Sequence, residues 1–353
     1  MLRYILGRLA YGILVIILVV VIISSIIYLA PVDPAQLTFG QRADVATVKA
    51  KTAELGLDQP LSVQLLHYLS DVAPLSVLDG TRQAPYQYVR LFPVGGNRFF
   101  ILKWPYLRES YQTGRPVSAM LASAIPATAL LAVSALLFAL LLGIPLGIFA
   151  ALRPRSFWDS GISMLTVLGY SLPSYVAAML LALLFGYAFG SITGLNVQGG
   201  IFVLDDFGDW HTEWKNLILP ALALGMRPVA LITQLTRSAM LDVLSQDYVR
   251  TALAKGLPFY RVVYKHALRN ALNPLVSAVS SWFAALLTGA FFVENVFSFK
   301  GLGDLTIQAL LNFDLPVVLG CVLFTATVFV VINLITDVLY VWVDPRVRVL
   351  ERA

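Results

Sequence analysis

Charge is scarce in this chain. Aspartate, glutamate, lysine and arginine make up 13% of its 353 residues, and 58% of the residues are hydrophobic. Soluble domains carry roughly a quarter charged residues, so the composition excludes a water-soluble enzyme or binding module and indicates an integral membrane protein. Cysteine is nearly absent. The single Cys321 lies inside an apolar run and can form neither an internal disulfide nor a thiolate cluster. The three histidines, His67, His211 and His266, lack ligand spacing, so no metal site is expected. Catalytic signatures are missing as well. No G-x-x-x-x-G-K-[ST] occurs, and Gly95-Gly96-Asn97-Arg98 lacks the Lys and Ser/Thr that would cradle phosphates. There is no G-x-S-x-G, no H-E-x-x-H and no pair of carboxylates within an apolar run. No catalytic residue is assigned, and the chain is not expected to break a bond itself. The net charge of +5 is modest, with basic residues gathered at the ends of apolar runs. That placement favours topology signals over nucleic-acid binding.

What the chain does have is apolar length. Residues 1–30 contain Arg3 and Arg8 followed by an apolar run from Ile13 to Ala30. The run is longer than the 7 to 15 residues of a secretory h-region, so it reads as an uncleaved first membrane helix with its amino terminus inside. Residues 31–115 are mixed in polarity and contain no spanning run; they form an extracytoplasmic region. Within it, Ala43 to Leu55 and Leu61 to Leu69 have helical spacing. Tyr88 to Leu102 reads either as a hairpin turning at Gly95-Gly96-Asn97 or as an irregular loop lying on the membrane surface. Residues 116–353 hold five further crossings. These run from Pro126 to Ala151, preceded by an interfacial helix Val117 to Ala124, then Ile162 to Phe189, Leu217 to Leu235, Leu275 to Val296 and Pro316 to Val343. Pro173 should kink or break the third of the six. Arg153, Arg155, Arg346, Arg348 and Arg352 fall on inner segments, whereas Asp205, Asp206, Asp209 and Glu213 cluster on an outer loop. The expected fold is therefore all-α and integral to the plasma membrane, with six transmembrane helices and both termini cytoplasmic.

The most informative stretch is Ser245 to Pro274, a basic island between two apolar runs that carries Arg250, Lys255, Arg261, Lys265, His266 and Arg269. Tyr248, Ala252 and Gly256 recur every fourth residue and share one helical face, small enough for another protein to approach closely. Pro258 ends that helix. The loop is expected to receive force from a partner. Three charges fall within or near apolar runs: Arg227, Glu294 and Asp337. Each should face a bundle interior or a water-filled path. Arg227 would attract an anionic group of a substrate, or form a structural ion pair with a neighbouring helix.

Asp247-Tyr-Val-Arg-Thr-Ala-Leu-Ala-Lys-Gly256 followed by His266-Ala-Leu-Arg-Asn-Ala271 resembles the cytoplasmic coupling loop of ABC-importer permeases in the oligopeptide/dipeptide/nickel family. The likeness continues in order along the chain. Leu29-Ala-Pro-Val-Asp-Pro34, Glu54-Leu-Gly-Leu-Asp-Gln-Pro60 and Tyr111-Gln-Thr-Gly-Arg-Pro-Val117 resemble landmarks of the first half. Leu235-Thr-Arg-Ser-Ala-Met240, Val293-Glu-Asn-Val-Phe-Ser298, Gly301-Leu-Gly303 and Asp344-Pro-Arg346 resemble those of the second. The subunit looks like the first of the two permease types. What the resemblance implies is a type I importer fold, a pore shared with a second homologous permease, two ATPase subunits that bind ATP and magnesium, and an extracytoplasmic substrate-binding protein. It also implies that Tyr248, Arg250, Thr251, Ala252, Lys255 and Gly256 form the surface docked on the ATPase. Segments 79–102 and 196–213 look like extra outer material. Two other classes remain open at this level, a stand-alone secondary transporter or channel and a non-transporting membrane scaffold, and relatives in the same family carry nickel chelates or other small solutes.

Overall fold

The structure is a computed structural model that describes residues 2–29, 49–50, 52–53, 58–79, 85–205 and 207–343. It divides into two compact units. One combines the residues before 125 with 305–327, and the other combines 125–304 with the residues beyond 327.

In the first unit, helix α1 (Leu2–Leu29) meets α2 (Leu61–Val72) through an apolar cluster of Val20, Tyr68, Leu315, Leu319 and Leu323. The expected helix at Leu61 to Leu69 is present and slightly longer; the one at Ala43 to Leu55 lies mostly outside the described residues. Strands β1 (Leu75–Asp79), β2 (Tyr88–Gly95) and β3 (Arg98–Lys103) form an antiparallel sheet in the order β1-β3-β2. The hairpin reading of Tyr88 to Leu102 is thus the correct one, because Gly95 and Gly96 both take positive φ, 121° and 61°, where a side chain would be strained. Beyond the sheet, Asp314 accepts hydrogen bonds from the Ser110 hydroxyl (2.5 Å) and the Tyr111 amide (3.0 Å). The Gln112 side chain donates to the Asn312 carbonyl at 3.0 Å.

Long helices dominate the rest. Helix α3 (Val117–Leu152) runs unbroken for 36 residues. The expected interfacial helix Val117 to Ala124 is therefore not separate, since Pro126 sits within the helix rather than at its start. Helix α4 (Phe157–Ser171) is followed by α5 (Ser174–Leu181), which continues as a π-helical turn, Ala182–Ala188. The expected third crossing is broken at Leu172 and Pro173, where the axis bends by 103°. A short hairpin of β4 (Phe202–Leu204) and β5 (Trp210–Thr212) occupies the acidic loop, with Asp205 accepting the Phe207 and Asp209 amides in its turn.

Helix α6 (Lys215–Leu244) packs closely on α3. A Cβ at Gly147 would lie 2.6 Å from the Thr233 carbonyl oxygen, and one at Gly225 would lie 2.7 Å from the Phe138 ring. Then follow α7 (Asp247–Ala254) and α8 (residues 259–271), the latter π-helical over Val262–Ala267. The expected fifth crossing is shared by α9 (Asn273–Gly289) and α10 (Phe291–Phe297). Helices α11 (Leu302–Leu311) and α12 (Leu315–Val343) complete the described residues. Among the described residues, Val117–Leu152, Lys215–Leu244 and Leu315–Thr336 are long and apolar enough to cross a membrane, and the bent pair α4–α5 makes a fourth if its two arms count as one span.

Candidate coupling site

The loop after α6 is a helical hairpin with its own small core. Val249 and Ala252 of α7 and Val262 of α8 are buried together, with Leu257 packed against them. The turn between the helices is a Schellman motif. The Gly256 amide bonds the Leu253 carbonyl at 2.9 Å, and the Leu257 amide reaches the Ala252 carbonyl at 3.4 Å. Gly256 stands at φ +77° with nothing within 4 Å of where its Cβ would be. Its role is to turn the chain, and the neighbouring Pro258 starts α8 with its fixed φ.

The face expected from four-residue spacing therefore divides. Tyr248 is exposed on the outside and accepts a hydrogen bond from Asn270 at 2.9 Å, Ala252 points into the hairpin, and Gly256 lies beyond the helix end. Arg250 and Thr251 are exposed on α7, and Lys255 is exposed at its C-cap. The contact between Arg250 and Asp247 spans 3.7 Å between side chains that are 73% and 98% exposed, so it contributes little and leaves the guanidinium accessible. What the spacing argument missed is the outer face of α8. Tyr260 and Tyr264, four residues apart, are 63% and 64% exposed, and Phe259 and Leu253 are exposed as well. Their signal was complementary: Val262, Val263 and Ala267 alternate with them and point inward.

The hairpin is anchored to the long helices. Val263, Ala267 and Ala271 pack with Met240 of α6 and with Ile148 and Ala151 of α3. Two turns back along α6, Arg237 grips the start of α4, with Nε 2.5 Å and Nη2 2.8 Å from the two oxygens of Asp159. The bidentate geometry fixes direction as well as distance. Asp159 also accepts the Arg155 amide at 2.9 Å, so the basic turn between α3 and α4 is held in the same cluster.

Of the three charges within apolar runs, Glu294 is fully buried in α10, and it does not line an open path. Its Oε1 accepts from the Thr128 hydroxyl at 2.7 Å, and its Oε2 accepts from the Gly303 and Asp304 amides at 2.7 and 3.2 Å. The Thr128 oxygen in turn accepts the Leu302 amide at 2.8 Å. Glu294 and Thr128 together thus satisfy the open amides at the start of α11. Arg227 is half-buried in α6 with its guanidinium 5.2 Å from the Tyr170 ring centroid, and its Nε has no acceptor. The Asp337 side chain lies outside the described residues. Among the described residues no group of histidine, cysteine and acidic side chains could hold a metal ion.

Comparison with known proteins accounts for nearly the whole chain. Residues 143–349 match the family described as binding-protein-dependent transport system inner membrane component, and residues 1–132 match the family of its N-terminal part. A Brucella abortus (strain 2308) chain, provisionally named a peptide transport system permease protein, is 36% identical over 344 residues, covering 98% of each chain. The glutathione transport system permease protein GsiC of Salmonella choleraesuis (strain SC-B67) is 34% identical over 349 residues, covering 99% of each. A structure of the inward-facing MetNI methionine ABC transporter matches with TM-score 0.51 at 18% identity, covering 64% of this chain and 97% of that one. That last likeness concerns fold alone. The chain belongs to the inner membrane components of binding-protein-dependent transport systems, as a multi-pass permease subunit of an ABC importer that works with ATPase and substrate-binding partners and has no ATPase activity of its own.

Proposed function

We propose that the chain forms half of the translocation pore of an ATP-driven importer of di- and oligopeptides. The observation that carries the reading is end-to-end similarity, at 33 to 36% identity, to permeases named for peptide, glutathione and dipeptide transport. The second half of the pore is a related permease in a distinct chain. Two ATPase subunits hold ATP and magnesium on the cytoplasmic side, where both termini of this chain also lie, and an extracytoplasmic protein delivers the peptide.

The α7–α8 hairpin is the surface on which an ATPase docks. Its exposed Tyr248, Arg250, Thr251 and Lys255, joined by Tyr260 and Tyr264, supply cations and flat apolar area. Its buried residues tie it to α3 and α6, so a displacement of the hairpin moves both helices. Ala252 and Gly256 contribute by shaping the hairpin.

Reconstitution with the partner subunits tests the proposal. Uptake of a labelled dipeptide into proteoliposomes should require ATP on the hairpin side and should stop when the catalytic glutamate of the ATPases is substituted. Uptake driven by an ion gradient without ATPases would refute it.

A further inference from the structure

Arg227 is the thirteenth residue of the thirty in α6, about 18 Å along the axis at about 1.5 Å per residue. That is near the middle of a hydrocarbon layer about 30 Å thick. An arginine at that depth is costly, by about 3 kcal/mol or more, unless an anion or water-filled cavity meets it. Among the described residues no anion meets it: no carboxylate lies within ion-pair distance of Arg227, and its buried Nε has no acceptor. Three acidic side chains of the same unit are committed elsewhere: Asp159 to Arg237, Glu294 to the start of α11, Asp205 to the β4–β5 turn.

The surroundings leave room for a ligand. On one side stands Tyr170, a residue 46% exposed and so reachable from outside the bundle. Gly169 and Met226, the neighbours of these two residues, line an apolar groove of about 160 Å³ with Phe138, Leu165 and Val229. The arrangement offers a cation and a half-exposed aromatic residue, with an apolar recess lined by their sequence neighbours rather than by Arg227 and Tyr170 themselves.

We infer that Arg227 binds an anionic group of the passing substrate and that this group is the C-terminal carboxylate of a peptide. The inference rests on the peptide-importer reading above and adds to it a residue and a recognised chemical group. A carboxylate supplies the guanidinium with an acceptor, and the Tyr170 ring lies 5.2 Å from the guanidinium carbon.

The test compares a labelled tripeptide with its C-terminal amide in the reconstituted complex, at saturating binding protein loaded with either one. The wild-type complex should transport the acid at least about tenfold better, the discrimination expected of one charge-assisted hydrogen bond. Arg227→Gln should lose that preference, bringing the ratio of acid to amide transport to about one, and Arg227→Lys should keep it. A preference that survives Arg227→Gln overturns the inference. So does loss of the second permease from purified Arg227→Gln complex, because the missing anion would then belong to that subunit. If the wild-type complex transports neither peptide, the peptide reading itself fails and the inference falls with it.

Discussion

Replacing Glu294 by alanine should loosen the joint between α10 and α11 more than any other single side-chain truncation near it. The carboxylate accepts three hydrogen bonds, from the Thr128 hydroxyl and from the Gly303 and Asp304 amides, and is fully buried. Alanine would strand both amides without acceptors, at about 1 to 3 kcal/mol each, and remove the hydroxyl's partner. The total is about 3 to 6 kcal/mol, above the usual range for a point substitution. Glutamine behaves differently. Its amide oxygen can still accept the two backbone amides, and only the Thr128 contact must reverse, so about 1 to 2 kcal/mol is expected. Thermal unfolding of the purified complex should separate the two variants. The alanine variant should lose at least roughly 6 °C, at about 2 °C per kcal/mol for a chain of this size class, and the glutamine variant much less. Proteolysis between Ser298 and Leu302 should accelerate in the alanine variant alone. Equal behaviour of the two variants, or an alanine variant within a degree of wild type, would refute the assignment of Glu294 as the cap of α11.

Gly256→Ala should cost about 1 kcal/mol through its positive φ alone, and Gly256→Asn less, because asparagine tolerates that conformation. If both variants instead abolish ATPase co-purification while the complex stays folded, the glycine is a contact and not a turn. Tyr260→Ala combined with Tyr264→Ala should weaken ATPase co-purification at least tenfold with little change in thermal stability, since both rings are already mostly exposed; a loss of stability with intact co-purification would argue against a docking role. Burial lowers the proton affinity of Lys103 below the ordinary lysine value of 10.5, with Asp71 opposing. The unfolded chain therefore holds that proton more tightly, and the stability of the first unit should rise with pH from the lowered folded value up to about 10.5. Lys103→Met should flatten that dependence in unfolding measured by circular dichroism.

Features governed by local chemistry were legible in the sequence. Gly95-Gly96-Asn97 turned as a hairpin because consecutive positive-φ positions admit little else. Pro173 broke its helix because it brings no amide to the ladder. Pro126 did not, and a helix that loses one bond in an otherwise apolar 36-residue run can continue through it. The loop after α6 was legible as a helix, a stop and a basic island. Its inward side was not, because four-residue spacing says which residues share a face and nothing about which face finds a partner. Val262 lies ten residues beyond Ala252, across the turn, and it decided the matter. Glu294 was visible as a charge in an apolar run, and Gly301-Leu-Gly303 as a separate landmark. Their union depends on backbone amides, which leave no mark in sequence, and on Thr128, 166 residues away.

The contacts between α4 and α6 form a ladder that bears on how the two proposed sites communicate. Asp159 meets Arg237, Thr166 meets Gln234 at 3.4 Å, and Tyr170 meets Arg227. The pairs ascend one helix as they descend the other, so the two helices run antiparallel in register. Arg237 lies eight residues before Ser245, where the hairpin begins, and Tyr170 lies just before the 103° break. The lowest rung is a bidentate ion pair, whereas the top rung is a cation–π contact without fixed hydrogen-bond geometry, which tolerates sliding. A shift of α6 imposed at the hairpin should therefore drag the lower end of α4 rigidly and change the approach of Arg227 to Tyr170 at the upper end. If a substrate carboxylate binds that guanidinium, its affinity must then depend on the docked state of the hairpin, and by thermodynamic reciprocity substrate must bias docking by the same factor. Asp159→Asn, which keeps the shape of the lowest rung and removes its charge, should reduce that factor in both directions, read as substrate stimulation of ATP hydrolysis and as nucleotide dependence of peptide binding. Reduction of one without the other would show that the ladder is not the link.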